Sequence, residues 1–391
     1  MAPQKYYNIQ SHLIDFIQRF ATFLKTKTGE TMSKRIAIIG AGISGLSIAY
    51  QLLEQKHKVV VYEKGKSLSQ TSSSSSKLLH GGIRYLENFQ FSMVKEALQE
   101  RKWWIENVPD AAHPLEILIP IFKDTQRSGI KYNVGIKLYN FLAGQYSLGK
   151  SDKYNPETIK EVKPLLKEQG FKYALSFYDG QMQEEKLGHW VLNEVERLGG
   201  IVKENTPVEK ITKEGNVTAL GEEANFDVII NAAGPWSSKV LSSNNIESKF
   251  ELDLVRGSHI LVNKCIGDKG FLLEVPNSQR IFFVLPYDEA VLVGTTEERQ
   301  SIDEPIVASK EEINLLINAY NHYFSDPIDY EDIIKTYAGV RPLIKSANNP
   351  SEASREYEIE MQGRVLSVFG GKWTTSMALA RHMSQMVKDY Y

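Results

Sequence analysis

A single cysteine, Cys265, stands in the 391 residues. One thiol excludes an intramolecular disulfide framework, and no His or Cys lies at metal-ligand spacing from it. Its neighbours Leu261, Val262 and Ile266 predict a buried thiol, and no metal ligand set is expected. Long hydrophobic runs are also missing. No stretch reaches the ~18 consecutive apolar residues of a membrane-spanning helix, and the first residues lack the cleavage site of a secretory signal. Nor does either sign of charge dominate: 46 Lys and Arg face 48 Asp and Glu, a formal net charge of −2. Global attraction to nucleic acid or anionic lipid is therefore excluded, no nucleic-acid partner is expected, and anion recognition must come from a local cluster of cations. The apolar and charged fractions are those of a soluble globular chain long enough for two packed lobes.

Ahead of Met32, Ile9, Leu13, Phe16, Ile17, Phe20 and Leu24 recur at helical spacing, with Asp15 the only acid before Glu30. This pattern predicts an amphipathic N-terminal extension over 1–31. A bilayer surface, a transit role, docking on the protein, or no function beyond an upstream extension are its alternatives. From Arg35 the pattern changes to strand (35–39), glycine turn, helix (43–54) and strand (58–62), a βαβ unit. A helix is expected over 91–108, and a lysine- and turn-rich inserted segment over 111–170. Further elements follow: a helix near 186–198, strands near 200–204 and 226–230, then alternating strands at 259–262, 280–285 and 290–294 that predict an antiparallel sheet. A strand over 364–369 and a helix over 374–387 close the chain. The expected fold is α/β: a discontinuous Rossmann-like dinucleotide lobe (32–110, 171–235 and 335–391) with an inserted α+β substrate lobe (111–170 and 236–334) containing an antiparallel sheet.

Gly40-Ala41-Gly42-Ile43-Ser44-Gly45 matches GxGxxG between a strand and a helix, and Glu63 closes the next strand. The first glycine allows the tight turn, the second lets the backbone approach a pyrophosphate, and the third lets helix and strand pack closely. The helix N-terminus then offers N–H groups to phosphate, and Glu63 is placed to accept from ribose hydroxyls. These residues predict a dinucleotide without separating FAD from NAD.

The run Thr71-Ser-Ser-Ser-Ser-Ser-Lys77-Leu-Leu-His80-Gly81-Gly82-Ile-Arg84-Tyr85 resembles the signature of FAD-dependent glycerol-3-phosphate dehydrogenases. Asn231-Ala-Ala233-Gly234-Pro-Trp236, Arg256-Gly-Ser-His259, Val293-Gly-Thr-Thr296, Gly339-Val-Arg341-Pro342 and Phe369-Gly-Gly371-Lys372 are similar to further motifs of that family in the same order. The resemblance runs from Lys34 to the C-terminus. It implies a glutathione-reductase-like, D-amino-acid-oxidase-like flavoprotein fold and FAD as cofactor. It also implies oxidation of sn-glycerol 3-phosphate to dihydroxyacetone phosphate, with electrons passed to a quinone or another acceptor. A phosphorylated polyol is then the expected substrate, and the cytoplasm, with peripheral contact on the inner membrane surface, the expected location. Gln183-Glu184-Glu185-Lys186 departs from the family's Asp-Asp-Ala-Arg, Ser376-Met377 from Tyr-Arg, and the family's additional C-terminal helical domain has no counterpart before Tyr391. An amine or 2-hydroxy-acid oxidase of the same fold, or a flavin-binding subunit inactive alone, are the competing readings.

Two kinds of group are needed for such an oxidation. A phosphate must be clamped so that the carbinol carbon lies within reach, which planar guanidinium forks do well. Arg84, Arg341 and Arg355 are the candidates, with Tyr85 as a further pocket residue. A base must take the hydroxyl proton, and His259 is the candidate because imidazole titrates near neutrality. Lys372, at a glycine-marked strand-to-helix turn, is expected to face substrate and reduced flavin together. Expected cofactor contacts are Gly40, Gly42, Ile43, Ser44, Gly45, Glu63, Lys64, Ser74, Ser76, Lys77, His80, Gly81, Gly82, Val208, Ala233, Gly234, Trp236, Gly371, Lys372 and Thr374.

Overall fold

The computed structural model describes residues 33–159, 165–345 and 357–391. The amphipathic segment 1–31 lies outside the described residues. The apolar run Arg35–Ile39 forms a strand buried along its last four residues. Strands covered on both faces read as continuous hydrophobic runs, which is why the sequence shows no alternation here. Arg35–Ile39 lies inside a six-stranded sheet ordered Tyr357–Gln362, Val365–Gly370, Val228–Asn231, Arg35–Ile39, Lys58–Tyr62 and Ile201–Lys203. All neighbours are parallel except the first two strands, which form an antiparallel pair.

The helix Ile43–Glu54 joins the two central parallel strands. Its buried Leu46, Ile48, Ala49 and Leu52 share one core with residues of the helices Glu184–Arg197 and Ser376–Tyr390. Each such aliphatic side chain contributes about 1.5–3 kcal/mol on burial, so a charge at Leu46 would open the seam between helix and sheet. That seam fixes the direction in which the helix N-terminus points.

The second sheet has ten strands. Its main path runs Glu298–Arg299, Leu252–Val262, Ala290–Gly294, Ile281–Tyr287, Gly270–Glu274, Ala112–Phe122, Phe171–Met182 and Leu78–Leu79. Ile333–Ile344 adds on Leu252–Val262 and Lys153–Tyr154 on Phe171–Met182. One pairing, Gly270–Glu274 with Ala112–Phe122, is parallel. The antiparallel character expected at 259–294 is therefore present, within a larger sheet than the sequence suggested. Val208–Ile211, Asn216–Ala219 and Glu222–Asn225 form a small antiparallel sheet of their own.

Two expectations are corrected. Phe171–Met182 and Ile333–Ile344, assigned by sequence mainly to the dinucleotide lobe, pair along their lengths with Ala112–Phe122 and Leu252–Val262 in the large sheet. A strand's period reveals its faces but not its partner, which is a long-range property. Cys265 is exposed rather than buried. Beyond the strand ending at Val262 the chain turns outward, and Ile266 takes the inward position.

Candidate active site

At the C-terminal end of the central strand Arg35–Ile39 the glycine turn has the form the dinucleotide reading requires. Gly40 has φ +102, and a Cβ there would lie 2.7 Å from Ala232 O; one on Gly45 would lie 2.0 Å from Gly40 O. Both positions exclude a side chain for the sake of the protein's own packing. Gly42 differs. The nearest atom to a Cβ at Gly42 is the Ser72 hydroxyl, at 3.3 Å, so its bareness keeps the approach to the helix open rather than filling it with protein.

Glu63 braces this turn, accepting from Ala41 N and Gly65 N, each at 2.9 Å. Lys64 lies over the Trp236 ring at 4.6 Å. Ser72 joins turn and serine loop: its hydroxyl accepts from Ile43 N at 3.0 Å and its carbonyl from Trp373 Nε1 at 2.9 Å.

The loop opens onto a cavity of about 740 Å³ between the two sheets' ends. Ser74, Ser76, His80, Gly82, Arg84, Tyr85, His259, Arg341, Gly371, Lys372 and Thr374 line it. Residues as far apart in sequence as Ser74 and Thr374 thus line one cavity. The other expected cofactor residues, Gly40, Gly42, Ile43, Ser44, Gly45, Glu63, Lys64, Val208, Ala233, Gly234 and Trp236, belong to the glycine turn and its surroundings and are not among the lining residues. Arg355 lies outside the described residues.

Lys77 departs from its expected role. It is buried, and its ammonium meets the Glu184 carboxylate instead of lining the cavity. Gly81 also sits behind the wall, where a Cβ would lie 2.2 Å from Tyr139 Oη.

His259 is 2% exposed and lies on the strand Leu252–Val262. Its Nε2 meets Ser76 Oγ at 2.9 Å, its ring stacks on Tyr337 at 4.9 Å, and its Nδ1 is buried without a hydrogen-bond partner among the described residues. Gly294 packs so closely on the ring that a Cβ would lie 2.2 Å from Cδ2. Burial pushes the imidazole well below its ordinary value of 6.5, and Arg341 and Lys77 act in the same direction. The ring is therefore neutral at neutral pH and able to accept a proton.

Arg341 is anchored through Nη2 to Thr296 O at 2.7 Å, with Glu297 3.8 Å from Nη1. Gly257 makes room for it, since a Cβ there would lie 2.4 Å from Nη2. Lys372 Nζ is buried without a hydrogen-bond partner among the described residues, 4.5 Å from the centroid of Tyr85. A buried ammonium without an acceptor is costly. An acceptor-rich, anionic guest in the cavity relieves that cost, and the open approach at Gly42 admits a pyrophosphate beside it. The residues present therefore fit a flavin dinucleotide.

Sequence reasoning missed Arg280, which lines the cavity with its Nη2 on Glu297 O at 3.0 Å. Nothing but its place at the start of a strand marked it. Asp179 was missed too. This buried carboxylate accepts from Gly81 N, Arg101 Nη1 and Tyr139 Oη, each at 2.8 Å, and so holds the His80–Gly82 turn from behind. Burial raises its proton affinity against the opposing pull of Arg101.

Two sheets, a glycine turn and a cavity with a buried ammonium fit a dinucleotide-dependent oxidoreductase. The family described as FAD dependent oxidoreductase matches residues 35–386, and the chain belongs to it. It is 31% identical over 377 residues to the aerobic glycerol-3-phosphate dehydrogenase of Escherichia coli (strain K12), covering 92% of this chain and 74% of that protein. To the D-erythritol 1-phosphate dehydrogenase of Brucella abortus (strain 2308) it is 32% identical over 375 residues, covering 90% and 73%. Among solved structures, the glycerol-3-phosphate dehydrogenase from Bacillus halodurans complexed with FAD superposes with a TM-score of 0.73 at 21% identity, covering 92% of this chain and 65% of that one. The reduced L-alpha-glycerophosphate oxidase from Mycoplasma pneumoniae with FAD bound also gives 0.73, at 17% identity, covering 92% and 96%. The chain is thus an FAD-dependent oxidoreductase with glycerol-3-phosphate dehydrogenases among its relatives.

Proposed function

We propose that the protein oxidises sn-glycerol 3-phosphate, converting its secondary alcohol to the ketone of dihydroxyacetone phosphate. The observation that carries this reading is the gathering of Arg84, Arg280 and Arg341 on the same cavity as His259 and Lys372. Bound FAD supplies the two-electron acceptor for the hydride. Arg341, its Nη2 held by Thr296 O, clamps the substrate phosphate together with Arg84. Arg355 is the third proposed clamp residue. His259, neutral and held by Ser76, takes the hydroxyl proton at Nδ1. Lys372 stabilises negative charge gathering in the cavity, and Tyr85 beneath it shapes the pocket. Ser74, Ser76, His80, Gly82, Gly371 and Thr374 are the proposed contacts on the flavin side. Gly40, Gly42, Ile43, Ser44, Gly45, Glu63, Lys64, Val208, Ala233, Gly234 and Trp236 are those on the nucleotide side.

Anaerobic titration with glycerol 3-phosphate, followed through flavin absorbance, tests the reading. Bleaching at stoichiometric substrate is expected. Bleaching by another phosphorylated polyol but not by glycerol 3-phosphate would move the substrate, and bleaching by neither would sink the proposal.

A quinone acceptor met at a membrane surface is the proposed destination of the electrons. No helix among the described residues is long and apolar enough to cross a bilayer. Exposed Phe89, Ile130, Val134 and Phe141 support peripheral contact, since grouped exposed apolar side chains mark interaction surfaces. Residues 125–151 add Arg127, Lys131, Lys137 and Lys150 with no acid, a balance that favours anionic lipid. Co-sedimentation with anionic vesicles, reduced by Phe141→Ser and by high salt, is the expected result.

A further inference from the structure

Behind the cavity wall lies a buried ion pair that the proposed chemistry does not use. Lys77 and Glu184 have side chains 8% and 3% exposed. Lys77 has φ 58, a left-handed conformation that a non-glycine residue holds only where its surroundings over-determine it. Its ammonium meets Glu184 Oε1 and Ser73 O, and lies 4.6 Å from the centroid of Tyr337. Tyr337 also stacks on His259, at 4.9 Å and 16°. The phenol ring thus contacts both the cation and the imidazole.

Hydrogen bonds join the same groups a second time. Glu184 Oε2 accepts from the Ser75 hydroxyl and, at 3.2 Å, from Ser75 N. Ser75 Oγ accepts from Lys77 N at 3.0 Å, and Ser75 O accepts from Tyr337 Oη at 2.9 Å. The residue between these anchors is Ser76, whose hydroxyl meets His259 Nε2. Removing Glu184 would leave a buried ammonium uncompensated, the situation in which an ion pair is costly to break.

We infer that the Lys77–Glu184 pair is a positioning device for His259: it holds Ser76 on Nε2 and a cation behind Tyr337, so that the ring keeps one tautomer and presents Nδ1 to the cavity. The inference rests on the reading of His259 as the base, and it concerns two residues, Lys77 and Glu184, that do not line the cavity.

The charged groups acting on the imidazole are few. Lys77 stands behind Tyr337 from the serine loop, and Arg341 comes from the same strand as Tyr337. The strand Ala290–Gly294 presents only backbone at Gly294. Lys77 and Arg341 both disfavour a proton on the ring. With the pair gone, one of these two cations disappears.

The test is nitrogen NMR of the FAD-loaded full chain labelled at histidine, with His259 assigned through His259→Asn. The native ring is expected in one neutral tautomer down to the acid edge of stability. In Lys77→Met/Glu184→Gln the two tautomers mix and protonation sets in at higher pH. Lys77→Met alone, in which Glu184 takes up a proton, is expected to move the same way and serves if the double variant fails to fold. A folded variant whose His259 tautomer and pH response match the native ring overturns the inference. Failure of the base reading is separable: His259→Asn would then reduce its flavin at the native rate, whatever the NMR of the Lys77 variants shows.

Discussion

The two ends of the site are built in opposite ways. At the nucleotide end, Gly40, Gly42, Gly45 and Glu63 fall within 24 residues and act through backbone: bare glycines, a helix N-terminus and amides held by a carboxylate. At the cavity end, Arg84, His259, Arg280, Arg341 and Lys372 come from distant parts of the chain and act through side chains. In the proposed reading the first end recognises a group common to every dinucleotide, so a local motif suffices, while the second discriminates one small substrate, which needs charges and hydrogen bonds converging from several directions. Cofactor retention and substrate choice should therefore fail independently when each end is altered.

The strongest break of that comparison comes at Gly42. Replacement by Val should leave the fold in place, since the only close neighbour is the Ser72 hydroxyl, yet it should abolish bound FAD as read from the absorbance of the purified protein. At the other end, His259→Asn keeps a polar side chain but removes the proton acceptor. Stopped-flow flavin reduction should slow by roughly 10²–10⁴-fold, with FAD content close to native. Arg341→Ala removes one partner of the proposed clamp on the substrate phosphate, a change worth ~2–5 kcal/mol where such a pair is desolvated, or on the order of thirtyfold or more in apparent affinity. Its signature is a raised Michaelis constant for glycerol 3-phosphate with flavin spectrum unaltered.

A smaller effect concerns acid stability. The folded His259 ring resists protonation, whereas in the unfolded chain it takes a proton near 6.5. Between those two values the unfolded state binds more protons, so stability falls as pH drops below 6.5. His259→Asn should flatten that part of the decline in denaturant melts. An unchanged slope would show that the ring is protonated in the folded protein after all.

Legibility in the sequence follows the same division. The strands at Arg35 and Lys58 and the helix Ile43–Glu54 emerge where pattern places them, because the glycine turn and the continuous apolar strands are local signals. The cavity residues Arg84, His259, Arg341 and Lys372 were reachable through resemblance rather than through any periodicity. Arg280 and Asp179 were not reachable, since an arginine opening a strand and an acid within one look like ordinary surface and strand residues until the sheet closes. Lys77 misled for a related reason: the serine run around it suggests a flexible cofactor loop, while its partner Glu184 stands more than a hundred residues away. The exposure of Cys265 depends on where a strand ends, which apolar neighbours do not specify.

The division of labour is tested most directly by comparing glycerol 3-phosphate with glycerol as anaerobic reductants of the bound flavin, in the native protein and in Arg341→Ala. The native protein should be reduced far more efficiently by the phosphate ester, and the variant should lose most of that preference while keeping its FAD and its slow reduction by glycerol. A native protein that reduces its flavin equally well with both, or an Arg341→Ala variant that retains the full preference, would contradict the assignment of the cationic cavity as the phosphate-reading end.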